Sequence, residues 1–278
     1  MKTDGSDTIG GWLKKAEQQL KQSGVETARL DALVLLEDAT GINRAQLLAH
    51  PETILSKQYI NVLDAWVARR ARHEPLAYIR GKSEFYGREF VVSPAVLEPR
   101  PESETMIELL KSNLQKLPKA ESWRIADVGT GSGALGITAK LELPEASLEL
   151  LEISDEAIEI AKVNVINFAT SISVIKSDLL SGASQDYDVL LCNLPYVPDG
   201  YSINQAATYE PRIALFGGAD GLDLYRRLFE QIGVLRHKAL LILTEALPEQ
   251  HGVLRQIALR SGYVESQSED FIQVFLLA

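Results

Sequence analysis

Apolar side chains recur every three or four positions through the first 80 residues. Beyond residue 124 they gather instead into short uninterrupted runs. The first texture predicts helices and the second predicts strands alternating with helices. In the first region Ile9, Trp12, Leu13, Ala16 and Leu20 share one helical stripe, with Thr8 placed to cap its start and Gly24 just beyond its end. Leu30, Leu33 and Val34 open a second apolar face that stops before Gly41. Asn43 caps a short turn through Leu47 and Leu48, and Ser56 precedes a helix with Ile60, Leu63, Trp66 and Val67 on its apolar side. Residues 1–80 therefore predict a small helical bundle.

Residues 81–98 change character. Phe85, Tyr86, Phe90, Val91 and Val92 flank Gly87 in the manner of a β-hairpin linker. The runs at 124–129, 148–153, 171–176, 187–192, 238–243 and 271–278 then read as strands. Helical patterns at 157–168 and 222–234 lie between them, which predicts an α/β domain over 99–278 with a doubly wound, mostly parallel sheet.

Composition sharpens this picture in three places. Hydrophobic residues make up 46% of the 278, enough to exclude a chain that is mainly disordered. The single Cys192 allows no disulfide within the chain and suits a reducing cytoplasm. Residues 1–12 hold no apolar run for a secretory signal, and no stretch of 18 apolar residues occurs to span a membrane. Charge is uneven: residues 1–80 carry 11 Lys+Arg and 10 Asp+Glu, whereas residues 81–278 carry 17 and 28. An acidic larger domain argues against a nucleic-acid substrate, which is normally met by a basic footprint. The local run Arg69, Arg70, Arg72 and His73 fits a cationic last helical turn opposing the helix dipole, or a contact for an acidic partner.

Two segments carry candidate chemistry. Asp127-Val-Gly129-Thr130-Gly131-Ser132-Gly133 follows an apolar strand and opens a helix. Glycines let the backbone turn sharply and approach a ligand, and the helix start favours polar or anionic groups. Glu152 ends the next strand, where a carboxylate can accept the ribose hydroxyls of an adenosine-containing cofactor. Gly131-Ser-Gly133-Ala-Leu-Gly136 also fits the dinucleotide pattern G-x-G-x-x-G. Farther on, the strand ending at Cys192 runs into Asn193-Leu194-Pro195-Tyr196. A planar amide or amine nitrogen is a poor nucleophile because its lone pair is delocalised. The Asn193 side-chain oxygen and the main-chain oxygen of residue 194 suit the task of holding such an NH2 group, and Tyr196 can pack its face on it.

The frame starting at Asp127 resembles the first motif of class I S-adenosylmethionine-dependent methyltransferases. Asn193–Tyr196 resembles the N-P-P-Y motif of those that act on planar nitrogens. Together with residues 80–87, Pro99-Arg100-Pro101-Glu102-Ser103-Glu104, Glu210-Pro211 and Gly217–Tyr225, the chain resembles the bacterial release factor glutamine methyltransferases over nearly its whole length. The resemblance implies a class I methyltransferase fold behind an N-terminal helical bundle that recognises the substrate protein. It implies S-adenosyl-L-methionine as cofactor and, as substrate, the glutamine of the Gly-Gly-Gln motif in class-one peptide chain release factors. By the same resemblance Gly129, Thr130, Gly131, Ser132 and Gly133 line the methionine part of the cofactor and Glu152 its ribose. Asp178 and Leu179 lie beside the adenine, and Asn193, Leu194, Pro195 and Tyr196 grip the target amide. The segment 99–104 then covers the site, unless it is a Pro-rich turn with Arg100 in an ion pair.

Four positions depart from the family pattern: Leu194 stands where Pro is usual, Ser103 where Thr is, Glu98 where an apolar residue is, and Glu152 where Asp is commoner. Leu194 keeps the carbonyl but loses the fixed φ of proline, while Pro195 still favours extended geometry at 194. The expected reaction is in-line methyl transfer driven by proximity and alignment, with no general base and no metal. The histidines His50, His73, His237 and His251 are dispersed. The rival readings are an adenine-N6 methyltransferase on DNA or RNA, a nicotinamide-dependent oxidoreductase, and a binding protein of methyltransferase fold weakened at Leu194.

Overall fold

The computed structural model describes residues 7–118 and 122–278, so half of the 1–12 stretch read for a secretory signal lies outside the described residues. The chain divides into two compact units. One runs up to Gly81 and takes in Ile203–Tyr209, and the other comprises Lys82–Ser202 and Glu210–Ala278.

Among its described residues the first unit holds five α-helices: α1 (Ile9–Gln22), α2 (Ala28–Thr40), α3 (Arg44–Ala49), α4 (Lys57–Arg70) and α5 (Leu76–Arg80). Their starts follow the capping chemistry of the sequence. Thr8, Asn43 and Ser56 side chains accept from the main-chain N–H of Gly11, Gln46 and Tyr59. Gly41 ends α2 at φ 68°, the left-handed conformation that glycine adopts without strain. Trp12, Leu20, Leu35, Leu36, Leu47 and Leu63 fill the core. Leu30 is exposed, against the expected apolar face of α2. The reason is that α2 packs against α1, α3, α4 and α5, so several of its sides are covered and no single stripe describes it. Two members of the arginine run are closed by ion pairs: Arg69 takes Glu74 at 2.5 Å and Arg70 takes the buried Asp31 at 2.6 Å. The Tyr209 hydroxyl donates to the Arg72 carbonyl and ties the 203–209 segment into this unit.

The second unit opens with the hairpin β1 (Lys82–Phe85) and β2 (Arg88–Val91), joined by Tyr86 and Gly87, both at positive φ as a type I′ turn requires. Phe85 and Phe90 enter the core of this unit, and Asn164 exchanges hydrogen bonds with the Val91 main chain. The hairpin is thus part of the sheet unit rather than a free joint. A single 3₁₀ turn, Pro101–Ser103, leads into α6 (Glu104–Leu114). There follow β3 (Arg124–Val128), α7 (Ala134–Glu142), β4 (Ser147–Glu152), α8 (Asp155–Asn167), β5 (Ser173–Lys176) and β6 (Val189–Cys192). The chain ends through α9 (Arg212–Leu215), α10 (Asp223–Val234), β7 (Leu241–Glu245), α11 (His251–Arg260), β8 (Tyr263–Glu269) and β9 (Ile272–Leu277).

The seven strands lie in the order β5-β4-β3-β6-β7-β9-β8, with β3 to β7 parallel and β9 antiparallel to both neighbours. Successive residues on a strand serve opposite faces: Val189 and Leu191 join the cluster under α6 and α7, and Leu190 and Cys192 join the cluster under α10 and α11. This is the mostly parallel class I methyltransferase sheet that the sequence predicts. Two details differ. β7 starts at Leu241 and runs to Glu245, three residues later than its apolar run begins, because Lys238–Leu240 lie outside the ladder. β8 went unread, since Tyr263–Glu269 alternates with exposed polar residues and pairs only with β9.

Candidate functional site

Strand order reverses between β3 and β6. In open α/β sheets the crevice at the carboxyl ends of such strands holds the ligand. The glycine turn leaves β3 there, and Asn193 leaves the neighbouring β6. A cavity of about 400 Å³ opens at this point. Gly129, Thr130, Gly131, Ser132, Glu152, Asp178, Leu179, Asn193, Leu194 and Pro195 all line it. Two expected site residues do not. Gly133 faces Ile137 and Leu150 beneath α7, where it gives close helix-to-sheet packing. Tyr196 donates its hydroxyl to Glu245 and packs, partly buried, against the cluster under α10.

The turn is shaped for close approach. Gly131 has φ 57°, and a side chain added there would meet nothing within 4 Å, so the main chain borders open space. Gly129, at φ 72°, is crossed by the Leu194 side chain, which would lie 2.9 Å from an added Cβ. Glu152 braces this turn: Oε2 accepts the Gly131 N–H at 2.9 Å, and Oε1 accepts those of Ile153 and Ser154 at 2.8 and 3.0 Å. Each carboxylate oxygen keeps further lone-pair capacity for hydroxyl donors. Asp127 lies deeper, accepting from the Thr130 hydroxyl and the Gly136 N–H. Burial pushes its carboxyl up to about 6, despite those two hydrogen bonds. Asp178 is held by Arg227 at 2.6 Å, and Leu179 sits at a positive φ of 55° with its carbonyl accepting from Ser177.

The opposite wall is built on Asn193. Its Nδ2 donates to Ser103 Oγ at 2.9 Å and to Glu245 Oε2 at 3.0 Å. Ser103 Oγ donates to Glu245 Oε2 at 2.6 Å, and the Tyr196 hydroxyl donates to Oε1 at 3.0 Å. Burial raises the Glu245 carboxyl above its ordinary value, and the Ser103, Tyr196 and Asn193 donors act in the opposite sense. The Tyr196 phenol is pushed up by burial and by the Glu245 charge. Arg100 lines the cavity and also forms the ion pair that was the rival reading, with Glu210 at 2.6 Å. The ion-paired turn is thus present, and Pro99, Arg100 and Ser103 of the 99–104 segment line the cavity. Sequence reasoning did not find Glu245: it lies two residues past the apolar run at 238–243, and its contacts are made with distant parts of the chain. It also passed over Arg227 and Phe216, which come from α10 and from beside α9. Among the described residues no group of histidine, cysteine or carboxylate side chains is arranged to hold a metal ion. Likewise no helix among them is long and apolar enough to cross a membrane.

Residues 11–81 match the PrmC N-terminal domain family, and residues 107–209 match the methyltransferase small domain family. A release factor glutamine methyltransferase of Koribacter versatilis is 37% identical over 222 residues, covering 78% of each chain. One of Moorella thermoacetica is 38% identical over 242 residues, covering 85% of this chain and 84% of its own. Among solved structures, the hMettl16 catalytic domain in complex with an RNA hairpin superposes with a TM-score of 0.56 at 15% identity. It covers 88% of this chain and 90% of its own, a likeness of fold alone.

Proposed function

This chain belongs to the release factor glutamine methyltransferase family, and from that premise we propose its reaction in detail. It transfers a methyl group from S-adenosyl-L-methionine to the side-chain amide nitrogen of the glutamine in the Gly-Gly-Gln motif of class-one peptide chain release factors, in the cytoplasm. The observation that carries this reading is the Asn193 amide: among the described residues both its hydrogen bonds leave from Nδ2, and Oδ1 has no protein partner there, on a residue that lines the cavity.

The residues present fit the cofactor. A cavity near 400 Å³ lies in the range of small-molecule sites. The Gly131 main chain borders it openly, and the buried Glu152 carboxylate stands where ribose hydroxyls can donate. Carboxylates of Asp127, Glu152, Asp178 and Asp223 outnumber the cations Arg100 and Arg227 on the wall, which suits a positively charged sulfonium. When bound, the cofactor supplies an already activated methyl group.

The chain's own residues then do three things. Asn193 Oδ1 and the Leu194 carbonyl accept the two N–H bonds of the target amide and aim its nitrogen. Glu152 and the 129–132 turn hold the methyl donor in line with it. Leu194, buried against Gly129, closes the floor between the two and excludes water. The amide proton leaves to water after transfer. The helical unit recognises the release factor: it carries none of the cavity-lining residues and is close to neutral in charge.

The test is transfer from labelled S-adenosyl-L-methionine to a purified release factor, followed by mass mapping. One methyl group on the Gly-Gly-Gln glutamine is expected. Label on nucleic acid, or on another residue of the factor, would replace this reading.

A further inference from the structure

Glu245 ends β7 almost fully buried, and no lysine or arginine pairs with it among the described residues. Its oxygens take three neutral donors instead, from Ser103, Asn193 and Tyr196. These come from three separate places: the turn before α6, the end of β6 and the segment after it. Tyr225 fixes the spacing of the two strand ends. Its hydroxyl lies 2.9 Å from the Cys192 carbonyl and 2.6 Å from the Glu245 carbonyl, and it accepts the Glu245 N–H at 3.2 Å.

A side-chain amide has two orientations of nearly equal shape, and only one of them turns an acceptor to the cavity. An ionised carboxylate can only accept. With Glu245 Oε2 at 3.0 Å, Nδ2 is the stable neighbour, and a flipped Asn193 would set two lone-pair oxygens against each other. Ser103 cannot reverse the choice, because its one proton is already donated to Glu245.

We infer that Glu245 is a positioning residue for methyl transfer: it holds the Asn193 amide in the orientation that presents Oδ1 to the acceptor nitrogen. This rests on the proposed function above, in which Asn193 grips the target amide. Glu245 itself touches neither substrate nor cofactor.

The experiment uses the full chain with a purified release factor and compares Glu245→Ala, Glu245→Gln, Asn193→Ala and the double variant. Glu245→Ala is expected to lower kcat by about 10- to 100-fold, with S-adenosyl-L-methionine affinity changed less than about twofold. Glu245→Gln, whose oxygen still accepts from Asn193 while its nitrogen donates to Tyr196, recovers about tenfold of that loss. The double variant is no slower than Asn193→Ala alone, because Glu245 acts through Asn193. Losses that add in the double variant, or wild-type turnover in Glu245→Ala, would overturn the inference.

A second readout needs no turnover. Side-chain amide NMR, assigned with Asn193→Ala, should show the Asn193 NH2 protons at least about tenfold more protected from water in the wild type than in Glu245→Ala or Ser103→Ala. Equal protection would overturn the positioning role even if transfer fails. Protected protons in a wild-type chain that methylates no glutamine would instead refute the proposed function.

Discussion

Two buried carboxylates separate the helical unit from the sheet unit. Asp31 in α2 is met by a cation, Arg70, at 2.6 Å. Glu245 at the end of β7 is equally hidden and is met only by hydroxyl and amide donors. Burying an ion is unfavourable unless it is paired and hydrogen-bonded. The first carboxylate is matched for stability. The second has no cation beside it among the described residues and lies behind Asn193, a cavity-lining residue whose amide it orders. The same contrast runs through each unit. Arg69, Arg70 and Arg80 of the helical unit are closed on Glu74, Asp31 and Asp38, whereas Glu152 faces the cavity braced by main-chain N–H groups.

Changing the structural pair should have the largest effect on folding. Arg70→Ala leaves Asp31 buried without its cation, and the helical unit should lose about 3–5 kcal/mol in denaturant unfolding while cofactor affinity holds. A loss under about 1 kcal/mol would mean that the pair is no more than a surface contact.

Asp127 gives the pH dependence. Its carboxyl is raised from 3.8 to about 6 by burial. Between those values the folded chain binds more protons than the unfolded one, so this group's contribution makes stability fall as pH rises from about 4 to about 6. Relative to Asp127→Asn, which does not titrate, the wild type should gain up to about 3 kcal/mol between pH 7 and pH 4. Parallel pH curves for the two proteins would place the Asp127 proton equilibrium elsewhere.

Asn193→Ala should slow transfer by about 10²-fold, the scale of losing one preorganised polar group. Cofactor affinity measured by calorimetry should change little. Glu152→Ala should do the reverse, weakening S-adenosyl-L-methionine by about 1.5–3 kcal/mol, the range for hydrogen bonds to a charged group. Unchanged affinity would remove Glu152 from the cofactor site.

Leu194→Pro is the smallest perturbation and the sharpest probe of the family difference. Leu194 is buried in the core under α10, and its N–H reaches the Tyr225 hydroxyl only at 3.4 Å. Proline removes that weak donor and the leucine packing but keeps the carbonyl. Stability should fall by about 1–2 kcal/mol with transfer within about threefold of the wild type. Abolished transfer in a folded, cofactor-binding variant would mean that the acceptor is not the 194 carbonyl.

What could be read in the sequence was local. The turn from Asp127 to Gly133, Glu152 one strand on, and Asn193–Pro195 are short segments whose chemistry depends on neighbours in the chain, and all of these except Gly133 reach the cavity. Caps at Thr8, Asn43 and Ser56 were legible for the same reason. Features set by distant packing were not. Glu245 meets Asn193 across 52 positions, and Ser103 across 142. The hydrogen bond of the Tyr196 hydroxyl to Glu245, 49 positions away, is likewise encoded by no motif. β8 escaped because an edge strand with one solvated face lacks the apolar run that marked the others.

The most direct measurement is a crystal structure of this chain with S-adenosylhomocysteine and a peptide carrying Gly-Gly-Gln. The glutamine amide nitrogen should lie about 3 Å from both Asn193 Oδ1 and the Leu194 carbonyl, with Asn193 Nδ2 still on Glu245 and the ribose on Glu152. A glutamine held by other residues, or an Asn193 amide turned the opposite way, would contradict the assignment of this site.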